Sequence, residues 1–107
     1  MKLHRNIAHG IVLGLQTILA RQEALRPTLQ NLLKRNRKWG SRDRKQLGEV
    51  ILDCIRWKRT YEYLGNLNNH SKYYHWELLG VWLLTKGNVL PEWDELSRLK
   101  EVESTVP

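Results

Sequence analysis

Leu47, Val50, Ile51, Cys54 and Ile55 recur at i, i+3, i+4, i+7 and i+8, the spacing that gathers apolar side chains on one face of a helix. A strand cannot satisfy that pattern, because its side chains change face at every residue. The predicted helix opens at Ser41 as N-cap, with Asp43 in the first turn, where the helix dipole favours a negative charge. It runs to about Leu64, with Gly65 in the left-handed position beyond its end.

Helical spacing extends over most of the chain. Leu3, Ile7, Ile11, Leu15, Ile18 and Leu19 predict a first helix over roughly 3 to 22. Pro27 suits the first turn of a second, whose stripe is Leu29, Leu32 and Leu33 and which ends in the basic stretch Lys34 to Gly40. Asn66, Asn68, Asn69, His70 and Ser71 read as a polar connection. A fourth helix follows over about Tyr74 to Lys86, and its run of Trp76, Leu78, Leu79, Val81, Trp82, Leu83 and Leu84 leaves little polar face. Such a helix is buried on several sides or contacts another domain. Gly87 closes it, and Pro91 opens a last short helix to Lys100. Residues 101–107 carry no periodicity and are expected to fray. Because no stretch alternates with period two for long, the expected class is all-α: a small bundle of about five helices, one domain over residues 1–100.

Charge is distributed less evenly than the apolar residues. Residues 34–59 hold ten of the eighteen Lys/Arg and three of the eleven acids, so this segment carries the whole net charge of +7. A basic surplus beside Trp39 and Trp57 is the footprint expected for a phosphate-backbone partner, against the plainer alternative of a solvated helix end. On a helical wheel Arg42, Lys45, Glu49, Asp53 and Arg56 fall on the outward side of the third helix, at spacings that allow mutual compensation. The free surplus then lies at two ends, with Lys34, Arg35, Arg37, Lys38 and Arg44 at one and Arg56, Lys58 and Arg59 at the other.

Other chemistry is sparse. Cys54 lies on the apolar face of the third helix, which favours a buried structural thiol over a nucleophile. His4, His9, His70 and His75 show no HExxH and no paired Cys/His spacing, and the seven glycines include neither a G-x-G pair nor a P-loop. No cofactor or metal is therefore expected in this chain, nor any enzymatic activity of the chain alone. Gly10 and Gly14 form a GxxxG that lets another helix approach closely. Trp76 and Trp82 are expected in a core or interface, whereas Trp39 either stacks on a base or staples its loop down, the second being favoured. With one cysteine no internal disulfide forms, which fits a cytoplasmic location, and no apolar run is long enough to span a membrane.

The segments HRNIAHGIVLGL and WGSRDRKQLGEVILDCIRWKRTYEYL resemble the NusB-like N-terminal domain of the RsmB/Fmu (Sun)-type rRNA cytosine-5 methyltransferases. The similarity covers about residues 3 to 64, with Asp43 and Arg44 matching the family's Asp-Arg pair and Arg56 the arginine that closes the block. LLGVWLLTKGNVLPEW is similar to the continuation in a branch with a shortened N-terminal domain. The resemblance implies a NusB-like bundle that binds structured RNA, rRNA above all, and orients a catalytic domain. S-adenosylmethionine would be bound by that absent methyltransferase domain, and Cys54, which follows Asp53, matches neither of its cysteines. The chain then reads as a fragment cut at a domain boundary, with residues 101–107 a frayed tail or the start of a linker.

The expected RNA contacts are Arg5, Arg35, Arg37, Lys38, Arg42, Arg44, Lys58 and Arg59. Among them the loop residues Arg35, Arg37 and Lys38 rank first, Arg44 and Arg56 are also read as structural clamps, and Lys58 with Arg59 form a second site only if the fold brings them round. The competing expectation is a protein-interaction module. It would dock through exposed members of the Trp76, Leu79, Trp82, Leu83 set on a methyltransferase domain or on a ribosomal or transcription partner, as a NusB-like antitermination factor does.

Overall fold

The structure, a computed structural model, describes residues 3–101, and among them it is all-α, with six α-helices and no strand. These residues fall into two compact units divided between Ile55 and Arg56. The first contains α1 (Arg5–Leu15), a π-helical turn (Gln16–Ala20), α2 (Leu25–Arg35) and nearly all of α3 (Ser41–Arg56). The second contains α4 (Lys58–Gly65), α5 (Tyr74–Thr85), a 3-10 turn (Asp94–Leu96) and α6 (Ser97–Lys100).

In the first unit Ile7, Ile11 and Leu15 of α1, Leu32 of α2, and Leu47, Val50, Ile51 and Cys54 of α3 are at most 5% exposed. Burying each large aliphatic side chain of this kind contributes about 1.5–3 kcal/mol. The GxxxG of α1 is the seam along which this core closes. A Cβ on Gly10 would stand 2.5 Å from the Trp39 ring, and one on Gly14 would stand 2.7 Å from Cδ1 of Ile51. Both glycines are therefore required by close approach, and Trp39 staples its loop to α1.

The first helix is shorter at its start than its periodicity predicts. His4 is extended (φ −73°, ψ 144°), so α1 starts at Arg5, and beyond Leu15 the backbone widens to the π-helical turn. Ile18 and Leu19 are consequently half-buried instead of core. At α3 the Gly40 carbonyl accepts the first helical bond, from the Arg44 N–H (3.0 Å), so Gly40 is the cap and Ser41 the first helical residue.

The largest departure is at Trp57, where the expected single helix from 41 to 64 breaks into α3 and α4. Trp57 leaves helical geometry (φ −105°, ψ 21°), although neither Gly nor Pro marks the place. The break lets α4 lie on α5 with Gly65 inside the helix, where a Cβ would meet Val81 at 2.6 Å. Asn66, not Gly65, takes the left-handed conformation (φ 51°, ψ 50°). Bonds from Asn66 N to Tyr63 O (3.3 Å) and from Leu67 N to Glu62 O (2.9 Å) complete the Schellman cap. Gly87 ends α5 in the same way at φ 80°, with Asn88 N on Leu83 O (2.9 Å), as its sequence position predicts.

From Tyr74 to Leu83, α5 is buried at every residue except the half-buried His75. That outcome matches burial on several sides. The segment after it is less helical than expected from Pro91, because Trp93 is extended (φ −103°, ψ 138°) and packs edge-on against Trp76 with ring centroids 5.9 Å apart. Helical turns begin only at Asp94, and they place the fully buried Leu96 and Leu99. Apart from Glu101, the expected frayed tail lies outside the described residues.

Candidate nucleic-acid interface

The connection from α2 to α3 is short and tightly bonded, and its construction determines which basic side chains remain free. Helix α2 ends in Lys34 and Arg35, whose charges suit the negative end of the helix dipole. Asn36 folds back to donate its Nδ2 to the Leu32 carbonyl (2.8 Å), its N–H bonds Leu33 O (3.3 Å), and Trp39 N–H bonds Asn36 O (3.1 Å). From α3, Nη1 of Arg44 donates to the Leu33 carbonyl (3.2 Å). These bonds satisfy the Leu32 and Leu33 carbonyls near the end of α2 and tie the turn down, while Trp39 packs against Gly10.

The result is an open cleft of ≈ 540 Å³, walled by Asn6 of α1, the segment Lys34 to Trp39, and Asp43 of α3. Lys34, Arg35, Arg37 and Lys38 are exposed around it, and none of them has an ion-pair partner among the described residues. Four unpaired cations around a concave surface concentrate positive potential, because field lines converge in a cleft with low-dielectric walls. Asp43 is the one acid in the lining. Asn6 comes from a different helix, and no local pattern in the sequence pointed to it.

The other expected contacts are placed as follows. Arg42 is exposed at the start of α3, and Arg5 is exposed on α1. Arg44 is half-buried and engaged with Leu33, so it acts as a clamp on the turn. Lys58 and Arg59 belong to the second unit. The Lys58 ammonium lies 3.0 Å from Oε2 of Glu62 and 5.8 Å from the centre of the Tyr74 ring, and Tyr74 donates its hydroxyl to the same Oε2 at 2.5 Å. Partial burial raises the Glu62 carboxyl, but the hydrogen bonds from Tyr74 and Lys58 and the charges of Lys58 and Arg59 outweigh it and hold the group below its usual range. Arg59 is exposed and Arg56 likewise. On the outer face of α3 no ion pair within 4.0 Å joins Arg42, Lys45 and Glu49, so compensation there is by proximity rather than contact.

Trp76, Leu79, Trp82 and Leu83 are 7%, 0%, 4% and 2% exposed, so none of the set offers a docking face. Among the described residues the large apolar side chains that are exposed are Leu13, Leu52, Trp57, Tyr63 and Val89, of which only Trp57 stood out in the sequence. Cys54 is wholly buried, and burial, aided by Asp53, pushes its thiol far up, which keeps it protonated and unreactive. Among the described residues no group of three His, Cys, Asp or Glu stands where it could hold a metal ion, and no helix is long and apolar enough to cross a membrane. Comparison of the chain with models of known families, with curated proteins and with solved structures finds no match.

Proposed function

We propose that this chain is a non-catalytic RNA-binding domain that positions structured RNA, rRNA in particular, for a methyltransferase domain acting on C5 of a cytosine. The observation that carries the RNA reading is the cleft at the α2–α3 turn, with Lys34, Arg35, Arg37 and Lys38 around it and without ion-pair partners among the described residues. Arg35, Arg37 and Lys38 are the principal phosphate contacts, with Arg42 and Arg5 extending the surface. Arg44, Lys58 and Arg59 are secondary, because Arg44 and Lys58 already serve protein partners. Phosphate contacts of this kind fix register and orientation without reading sequence. The rRNA methyltransferase part of the reading rests on the resemblance over residues 3 to 64, which is to a NusB-like N-terminal domain. In that reading the catalytic domain lies elsewhere in the polypeptide, binds S-adenosylmethionine itself, and works with this domain in the cytoplasm.

The test is a titration of a labelled rRNA hairpin, followed by fluorescence anisotropy at several salt concentrations. Affinity is expected to fall steeply with salt. An Arg37→Ala, Lys38→Ala double variant is expected to lower the slope of log K against log salt by about two, one for each phosphate no longer neutralised. Salt-insensitive binding, or an unchanged slope in the double variant, defeats the reading.

A further inference from the structure

The basic cleft has a neighbour in the same unit. A second depression, of ≈ 290 Å³, lies between the end of α1 and α2 and is lined by Leu13, Thr17, Pro27, Asn31 and Arg35, with Arg21 and Glu23 at the same site. Its volume is near the lower end of the roughly 300–1,000 Å³ typical of small-molecule sites. Arg35 lines this pocket and the basic cleft alike, so the two are contiguous through one side chain.

The pocket's lining suits a flat, partly apolar group with a polar edge. Leu13 is 46% exposed although it sits in the last turn of an apolar helix, and its uncovered side chain faces this space together with Pro27. Asn31 is exposed on α2 and its side-chain amide makes no hydrogen bond among the described residues, which leaves both donor and acceptor sides of that amide available. The Glu23 carboxylate is countered by Arg21 at 3.3 Å, so it does not repel an approaching phosphodiester as a bare charge would. The backbone at this pocket also departs from regular helix. The π-helical turn Gln16–Ala20 contributes no buried residue, and Gln22 follows at φ 57°. The turn supplies Thr17 to the pocket lining, and π-turns recur at functional sites.

We infer that this pocket receives one unpaired nucleobase of the RNA whose phosphates lie in the adjacent cleft. The substrate class is then RNA with a bulged or single-stranded nucleotide rather than continuous duplex. The base lies on Leu13 and Pro27, its Watson–Crick edge meets Asn31, and Arg35 holds the flanking phosphate. Recognition of RNA through splayed bases is the usual route to selectivity, because the deep groove of an A-form helix admits no side chain. The inference rests on the RNA-binding reading.

The experiment compares two RNAs of equal length and charge, a perfectly paired hairpin and one with a single bulged 2-aminopurine, against the whole chain. Asn31→Trp fills the pocket without altering charge, and Leu13→Ala removes the apolar wall from an exposed position; circular dichroism confirms that each variant remains helical. Each substitution is expected to weaken the bulged RNA about tenfold, the size expected for removing one stacked base, and the paired RNA less than about twofold. The 2-aminopurine emission is expected to change on binding to the wild-type chain, and the change is expected to disappear in Asn31→Trp. Equal binding of both RNAs that still depends on Arg37 and Lys38 overturns the inference alone. Failure to bind either RNA overturns it together with the reading on which it rests.

Discussion

The two units of this chain contain similar numbers of residues and use charge in opposite ways. Residues 2–55 carry eleven Lys/Arg against four acids, whereas residues 56–107 carry seven against seven. The difference extends to geometry. In the second unit Lys58 is bound to Glu62, Arg98 to Glu77 and Lys100 to Glu92, while in the first Lys34, Arg35, Arg37 and Lys38 surround an open cleft with no ion-pair partner among the described residues. A cation already bound by a carboxylate adds little long-range field, whereas an unpaired one on a concave surface attracts an anionic partner. Three of the second unit's seven cations therefore hold its own structure, and the four around the first unit's cleft are available to a polyanion.

The sharpest way to break that comparison is to remove a cation from the second unit. Glu77 is 1% exposed in α5, and Nε of Arg98 lies 3.0 Å from its Oε2, while Oε1 has no hydrogen-bond partner among the described residues. Arg98→Ala is expected to cost about 3 kcal/mol in urea unfolding, because it leaves a carboxylate buried without its ion-pair partner. The cost stays at the low end because the Arg98 side chain is itself 42% exposed. RNA affinity of the folded variant should not change, and a large drop in affinity would dissolve the division of labour.

A smaller effect is expected at the seam of the first unit. Gly10→Ala drives a methyl group to within 2.5 Å of the Trp39 ring, so it should destabilise by about 1–3 kcal/mol. Because Trp39 anchors the basic turn, RNA affinity should fall as well, whereas Arg98→Ala affects stability alone. Urea midpoints and anisotropy measured on the same samples separate the two outcomes.

The mildest prediction concerns pH. The Glu62 carboxyl is held below its usual range in the folded chain, so its stabilising contribution is present at neutral pH and is lost as pH falls through that lowered value. The stability gap between the wild type and Glu62→Gln should be widest near neutrality and close on acidification. Urea midpoints across that range test it, and a gap independent of pH would show that Lys58 and Tyr74 do not act through the charge of Glu62.

Much of the fold was legible because it follows from local rules. The spacing of Leu47, Val50, Ile51 and Cys54 indicated a buried helical face, and Gly87 marked the end of α5 where the backbone needs a positive φ. Trp57 was not legible as a break. The apolar pattern stays in phase from Cys54 to Tyr61, so nothing in the local periodicity distinguishes one long helix from two. Gly65 was read as a cap because a glycine after a helix usually serves that purpose, yet its role is to admit Val81, a residue distant in sequence. Within the site, Arg35, Arg37 and Lys38 stood out as charges, whereas Asn6 and the pocket beside Leu13 and Asn31 depend on which helices meet.

The amino-acid sequence by itself determined the all-α class, the bounds of α5, the start of α3 and the location of the surplus charge, because helix periodicity, capping and net charge act within a few residues. Tertiary structure alone decided that Trp39 lies on Gly10, that α3 and α4 part at Trp57, and that an asparagine from α1 joins the basic turn in one cleft. Those outcomes depend on close approach between segments distant in the chain, where shape and burial outweigh local preference.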